Sequence, residues 1–165
     1  MAILQIKKYP EKILKAKAER IDCIDDKLIK LSKDMIETMY FFNGVGLAAN
    51  QVGESSSIFV ADMKLGEKKR EPRVLLNPQI LSLTGSCCLE EGCLSFPGIS
   101  AKVKRAKKIV VCGTTLDGKE IKREAEGLLA RIFQHEIDHL NGIVFFDRVN
   151  FLKRLMLNRK YFGKK

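Results

Sequence analysis

The chain has 165 residues, 45% of them hydrophobic and 30% charged, with a net charge of +10. That length suits one domain with its own core, and without low-complexity tracts or repeats neither a disordered nor a solenoid protein is expected. No run approaches the roughly 18 apolar residues needed to span a bilayer, which excludes a helical membrane protein. The opening MAILQIKKYPEKILKAK lacks the apolar core and small-residue cleavage site of a secretory signal, so a cytoplasmic location is expected. Five cysteines (Cys23, Cys87, Cys88, Cys93 and Cys112) at irregular spacing read as core residues or metal ligands rather than a disulfide framework. Six basic groups and no acid fall in residues 150–165, leaving +4 for the rest.

Residues 25–42 place apolar side chains at 28, 31, 35, 36, 39 and 42, an amphipathic helix begun by acids and ended by Asn43 and Gly44. GVGLAANQVG (44–53) comes next. Its start fits a dinucleotide fingerprint, but helix precedes and strand follows, the reverse of what phosphate binding needs. The small residues instead describe a backbone that another chain can approach, with the Gln51 amide beside it. SSSIFVAD predicts a short strand and residues 64–73 an exposed loop. RVLLNPQILSL predicts extended structure interrupted at Asn77-Pro78, and CCLEEGCLSFPG a strand ending in a turn. Residues 102–112 and 119–125 predict a hairpin pair. A helix is expected from about Glu126 to Leu140, with Gly142 placed to end it, and a last helix over about 149–161. Strands in runs, bracketed by helices, argue for a single α+β domain across residues 1–165.

QHEIDH (134–139) contains the only two histidines, His135 and His139, four residues apart. On a helix both imidazoles share a face and can grip one divalent metal, with Glu136 beside them to move protons. A helical wheel puts Leu128, Ile132, His135 and His139 in a narrow arc, continued on one side by Leu129, Phe133, Ile137 and Leu140. Arg131, Gln134 and Asp138 form the polar back. Glu136 falls inside the apolar arc, where burial favours its protonated form and metal charge opposes this; that balance suits a group that takes and gives a proton.

The third ligand is not downstream. Metzincin proteases continue His-Glu-x-x-His-x-x-Gly-x-x-His, but position 145 is Phe145, and no glutamate follows Asp138. Cys93, at the end of its strand, is the attractive upstream choice; a thiolate with two imidazoles leaves a fourth position open. A closed structural site using Cys87 and Cys88 is the alternative, but it gives Glu136 no role.

Three segments together, GVGLAANQ (44–51), EGCLS (91–95) and HEIDH (135–139), resemble peptide deformylase, and the opening YPEKILKAKAERI resembles that family's start. The resemblance implies an α+β fold with mixed or antiparallel sheets around the central metal helix. It implies removal of the formyl group from the N-terminal methionine of nascent chains. By resemblance Cys93, His135 and His139 are the ligands and Glu136 the base, then acid. Gln51 through its amide and Leu94 through its N–H form the oxyanion hole. The peptide adds in extended form near Gly44 and Gly46, with Val45, Leu128, Ile132 and Leu129 around its methionine. Glu91 orders the site, with Arg105 or Arg131 as its partner. The implied metal is Fe²⁺, and Zn²⁺, Ni²⁺ or Co²⁺ fit the same donors. Some members carry arginine where Ser100 stands, which bears on the outer end of the peptide pocket.

The basic tail, with Phe151, Leu152, Leu155, Met156 and Phe162 on one face, reads as a docked terminal helix with a solvated cationic back. The resemblance adds contact with the ribosome near its exit tunnel. No membrane and no specific DNA partner are expected. A zinc protease lacks its downstream ligand here, and a basic RNA-binding module with a structural metal leaves Glu136, Gln51 and the glycine loop unexplained.

Overall fold

The computed structural model describes residues 2–64 and 70–163. Three helices, α1 (Asp26–Phe41), α2 (Gly127–Leu140) and α3 (Phe151–Phe162), accompany seven strands. These are β1 (Gly46–Ala48), β2 (Ile58–Asp62), β3 (Pro72–Thr84), β4 (Cys87–Gly92), β5 (Ser100–Arg105), β6 (Lys108–Thr114) and β7 (Glu120–Glu126). A five-stranded sheet runs in the order β1-β2-β3-β6-β7, and β4 pairs separately with β5; all pairings are antiparallel. This is the α+β class expected. Among the described residues no helix is long and apolar enough to cross a membrane.

Asp25 caps α1 by accepting the Leu28 N–H at 2.8 Å, and the apolar stripe of the helix buries Leu28, Met35 and Met39. On the five-stranded sheet, Phe59, Leu75, Ile109 and Val111 meet Ile132, Phe133, Ile137 and Leu140 of α2 in one core cluster. Strand β7 runs straight into α2 at Gly127, whose φ of +62° permits the abrupt change of direction. The opposite flank of α2 is covered by β4 and β5, so the helix is buried from Ala130 to Leu140.

That covering corrects the wheel. The polar back of Arg131, Gln134 and Asp138 does not face solvent; each side chain is buried and each finds a partner. Gln134 accepts the Ala106 N–H at 2.9 Å and donates to the Ala106 carbonyl at 3.0 Å, acting as a substitute strand neighbour. This pairing breaks the expected strand over 102–112 at Ala106. Its first part, β5, pairs with β4, while β6 makes the expected hairpin with β7. Asn77 uses the same device on Ile21, with contacts of 2.9 and 2.7 Å, where β3 shifts register. The loop expected over 64–73 ends sooner, since β3 begins at Pro72; residues 65–69 lie outside the described residues.

Helix α3 also departs from expectation. It docks through Leu157 and Tyr161, which join Phe96, Phe145 and Phe146 in a second core cluster. Asn150 caps its start, and Arg154 pairs with Asp147 at 3.2 Å, fixing its rotation. The face expected to dock therefore points outward: Phe151 is 78% exposed, Leu152 71% and Met156 70%. Lys164 and Lys165 of the basic tail lie outside the described residues.

Candidate metal centre

Helix α2 brings the two histidines together as the spacing required. His135 Nε2 and His139 Nε2 stand 3.2 Å apart, and Cys93 Sγ lies 3.2 Å from His139 Nε2. The donor atoms of Cys93, His135 and His139 all fall within 4.8 Å of one another. Cys87 is instead drawn toward Arg131, with Sγ 3.5 Å from Nη2, so the alternative closed site does not assemble. Phe145, at the third-histidine position of a metzincin, is buried with its ring 5.0 Å from that of Phe96.

The donor set fits a divalent metal for two reasons. His135 turns its Nδ1 to the Glu91 carboxylate at 2.6 Å, which leaves Nε2 facing the cluster. Burial holds His139 well below the ordinary histidine value, so its imidazole stays neutral and keeps a lone pair. Burial also acts downward on His135, but Cys93 and Glu91 overcome it and raise its affinity for a proton.

Glu91 is the hub of this arrangement. Arg105 reaches its two oxygens at 2.7 and 3.2 Å, and Arg131 reaches it at 3.0 Å. Both expected partners are therefore present at once. Arg105 also pairs with Asp138, which takes Arg148 as well, so two buried acids and three arginines form one network. Burial alone would raise the Glu91 carboxyl, yet His135 and Arg105 hold it well below the usual carboxylate range.

A cavity of about 680 Å³ opens over the cluster. Gly44, Val45, Gly46, Gln51, Glu91, Cys93, Leu94, Leu128, Ile132, His135 and Glu136 line it, so most of the residues singled out in the sequence converge. Leu129 does not. It sits partly buried against the main core, because α2 turns that side chain toward the sheet rather than the opening. His139 lies beneath the cavity, almost fully buried. Ser100 at the rim donates to Glu90 at 2.5 Å.

Gly46 shows why small residues are needed here. A Cβ at that position would meet the Glu136 carboxylate and come within 2.8 Å of Ile132 Cγ2. The acid is thus pressed between β1 and α2. Burial pushes its carboxyl up to about 7, and Oε2 has no protein partner. Gln51 is held by its own turn: Oε1 accepts the Ala48 N–H at 2.8 Å, leaving Nε2 3.3 Å from Cys93 Sγ. Sequence reasoning missed Lys8, which lines the cavity, and Asn50, whose amide donates to the His139 carbonyl. Neither carries a local signal, since their partners lie 86 and 89 residues away.

Glu91→Ala leaves Arg131 buried without a counter-charge and Arg105 with Asp138 alone, and should cost about 3–5 kcal/mol in denaturant unfolding. Metal affinity should fall about 10–100-fold in chelator competition. Because the folded carboxyl lies below its unfolded value, its stabilisation is present above the ordinary carboxylate range and lost as pH falls beneath it. The stability gap between parent and variant should therefore narrow in strong acid.

The sequence model of the polypeptide deformylase family matches residues 3–155. A peptide deformylase of Thermodesulfovibrio yellowstonii is 50% identical over 165 residues, covering 100% of each chain. Among solved structures, a peptide deformylase from Legionella pneumophila matches with a TM-score of 0.92 at 44% identity, over 99% of this chain and 95% of that one. The peptide deformylase of Ehrlichia chaffeensis in complex with actinonin matches with a TM-score of 0.90 at 37% identity, over 100% and 99%. With a Cys/His/His cluster under a cavity and these full-length likenesses, the chain belongs to the polypeptide deformylase family.

Proposed function

We propose that this chain, one catalytic domain acting in the cytoplasm, removes the N-formyl group of nascent polypeptides, its family's reaction, with Cys93, His135 and His139 holding the metal. The observation that carries this reading is the meeting of those three donors, Glu136 and Gln51 at one cavity. The metal supplies Lewis acidity, polarising a carbonyl and making water nucleophilic at neutral pH. Fe²⁺ is the native ion on this reading; Zn²⁺, Ni²⁺ or Co²⁺ suit the same donors.

The chain's own residues divide the remaining work. Glu136, with a proton affinity near neutrality, takes the proton that attacking water gives up and returns it to the departing amine nitrogen. The Gln51 amide and the Leu94 N–H receive the charge that develops on the formyl oxygen. The peptide backbone runs past Gly44 and Gly46, where no side chain obstructs it. Val45 and Leu128 at the rim and Ile132 deeper in the wall accept the methionine side chain. Glu91 acts through His135 rather than on the peptide.

The reading extends to the ribosome as a partner, reached near the exit tunnel through α3. Its outward Phe151, Leu152 and Met156, flanked by Arg159 and Lys160, support this. Arg159→Glu with Lys160→Glu spares Leu157 and Tyr161, so the domain stays folded. Co-sedimentation with ribosomes should drop, and binding by the parent should weaken with salt. Unchanged co-sedimentation removes the ribosome from the account.

Formate release from formyl-Met-Ala-Ser by the metal-loaded protein tests the catalytic reading. Glu136→Ala should retain one metal per chain while kcat falls by at least about a hundredfold. Full activity in that variant would show that another group moves the proton.

A further inference from the structure

The N-terminal segment enters the site as described so far only through Lys8 at the cavity wall, yet three successive residues of it touch the segments that carry the oxyanion donors. Lys7 N–H donates to the Gln51 carbonyl at 2.7 Å, and Tyr9 N–H donates to the Ser95 carbonyl at 3.0 Å. Between them, Lys8 Nζ donates to the Leu94 carbonyl at 2.7 Å. Two residues of chain span at most about 7 Å, so this segment limits how far Gln51 and Ser95 can separate.

Cys93 to Phe96 form a turn closed by the Phe96 N–H on the Cys93 carbonyl at 2.9 Å. Within such a turn the middle peptide, here the Leu94 carbonyl with the Ser95 N–H, makes no closing hydrogen bond, and the common turn types differ in the way it faces. Lys8 supplies the missing anchor. The Leu94 carbonyl carbon and the Leu94 nitrogen are bonded to one Cα, so a hold on the carbonyl limits how far the residue, and its N–H with it, can shift. Lys8 also lines the cavity, beside Gln51, Cys93 and Leu94.

We infer that Lys8 is a positioning residue for the reaction: its ammonium fixes the Leu94 carbonyl and so sets the Leu94 N–H against the Gln51 amide. This rests on the assignment of Gln51 and Leu94 as oxyanion donors. Lys8 touches neither the formyl group nor the metal. Its effect belongs in kcat, because the charge it helps to receive forms only in the transition state.

The test compares Lys8→Met, Lys8→Arg and Gln51→Leu in the full-length, Zn²⁺-loaded protein, by steady-state kinetics and by amide NMR. Lys8 is exposed, so Lys8→Met should fold normally. Its kcat should fall about tenfold with KM within about twofold, less than the full loss of an oxyanion donor in Gln51→Leu. Lys8→Arg should recover most of the rate. The Leu94 backbone and Gln51 side-chain amide resonances should move in Lys8→Met while those of α3 stay in place. The inference falls if kcat is unchanged, if only KM rises, if Lys8→Arg is as slow as Lys8→Met, or if the Leu94 resonance does not move. Full activity in Gln51→Leu overturns the donor assignment and this inference with it. A slow Gln51→Leu beside an unaffected Lys8→Met overturns this inference alone.

Discussion

The buried carboxylate of Glu91 is the point on which the arrangement turns. An ion at that depth is costly unless its oxygens are fully engaged, and Glu91 engages them with His135, Arg105 and Arg131. Those partners come from α2 and β5, while Glu91 itself lies on β4. One desolvated group therefore fastens the small sheet to the metal helix. Cys93 follows Glu91 by two residues, so the clamp that orients His135 also brings the thiol to the imidazoles. Asp138 extends the same logic: it faces Arg105, which thus meets two carboxylates, and Arg148 supplies its second cation.

The opposite wall is built from contact rather than charge. β1 lies so close to α2 that Gly46 has no room for a Cβ beside Glu136 and Ile132. The closeness keeps the acid dry, which is why its proton affinity rises toward neutrality. Two carboxylates one helix flank apart are thereby driven in opposite directions: Glu91, wrapped in donors, is held well below the usual carboxylate range, while Glu136, short of them, is pushed up to about 7. That division is consistent with the structural role of Glu91 and the proton-carrying role proposed for Glu136, without any difference in residue type.

How much of this could be read from the sequence depended on the range of the contacts. Local periodicity and spacing placed α1, α2 and the β6–β7 hairpin, and the three motifs named the residues that meet at the cavity. Contacts between distant segments were not legible. Gln134 acts as a strand partner for backbone 28 residues away, so the strand break at Ala106 carries no local mark. The irregularity at Asn77 was marked by the Asn77-Pro78 pair, although its partner Ile21, 56 residues away, was not. The wheel placed Arg131, Gln134 and Asp138 on a polar back because it counts polarity, whereas a polar side chain is buried when a partner waits for it. Leu129 shared an angular neighbourhood with the site but faces the sheet. On α3 the broad apolar face lost to Leu157 and Tyr161, whose packing against the aromatic cluster fixes the rotation of the helix.

The central claim is that Glu91 and α2 together deliver one sulfur and two imidazole nitrogens to a single ion. X-ray absorption on protein loaded with one equivalent of Zn²⁺ addresses this directly. The account predicts one sulfur at about 2.3 Å and two nitrogens at about 2.0–2.1 Å. The sulfur shell should vanish in Cys93→Ser and persist in Cys87→Ser. A shell of nitrogen and oxygen alone, or a sulfur signal that follows Cys87, would contradict it.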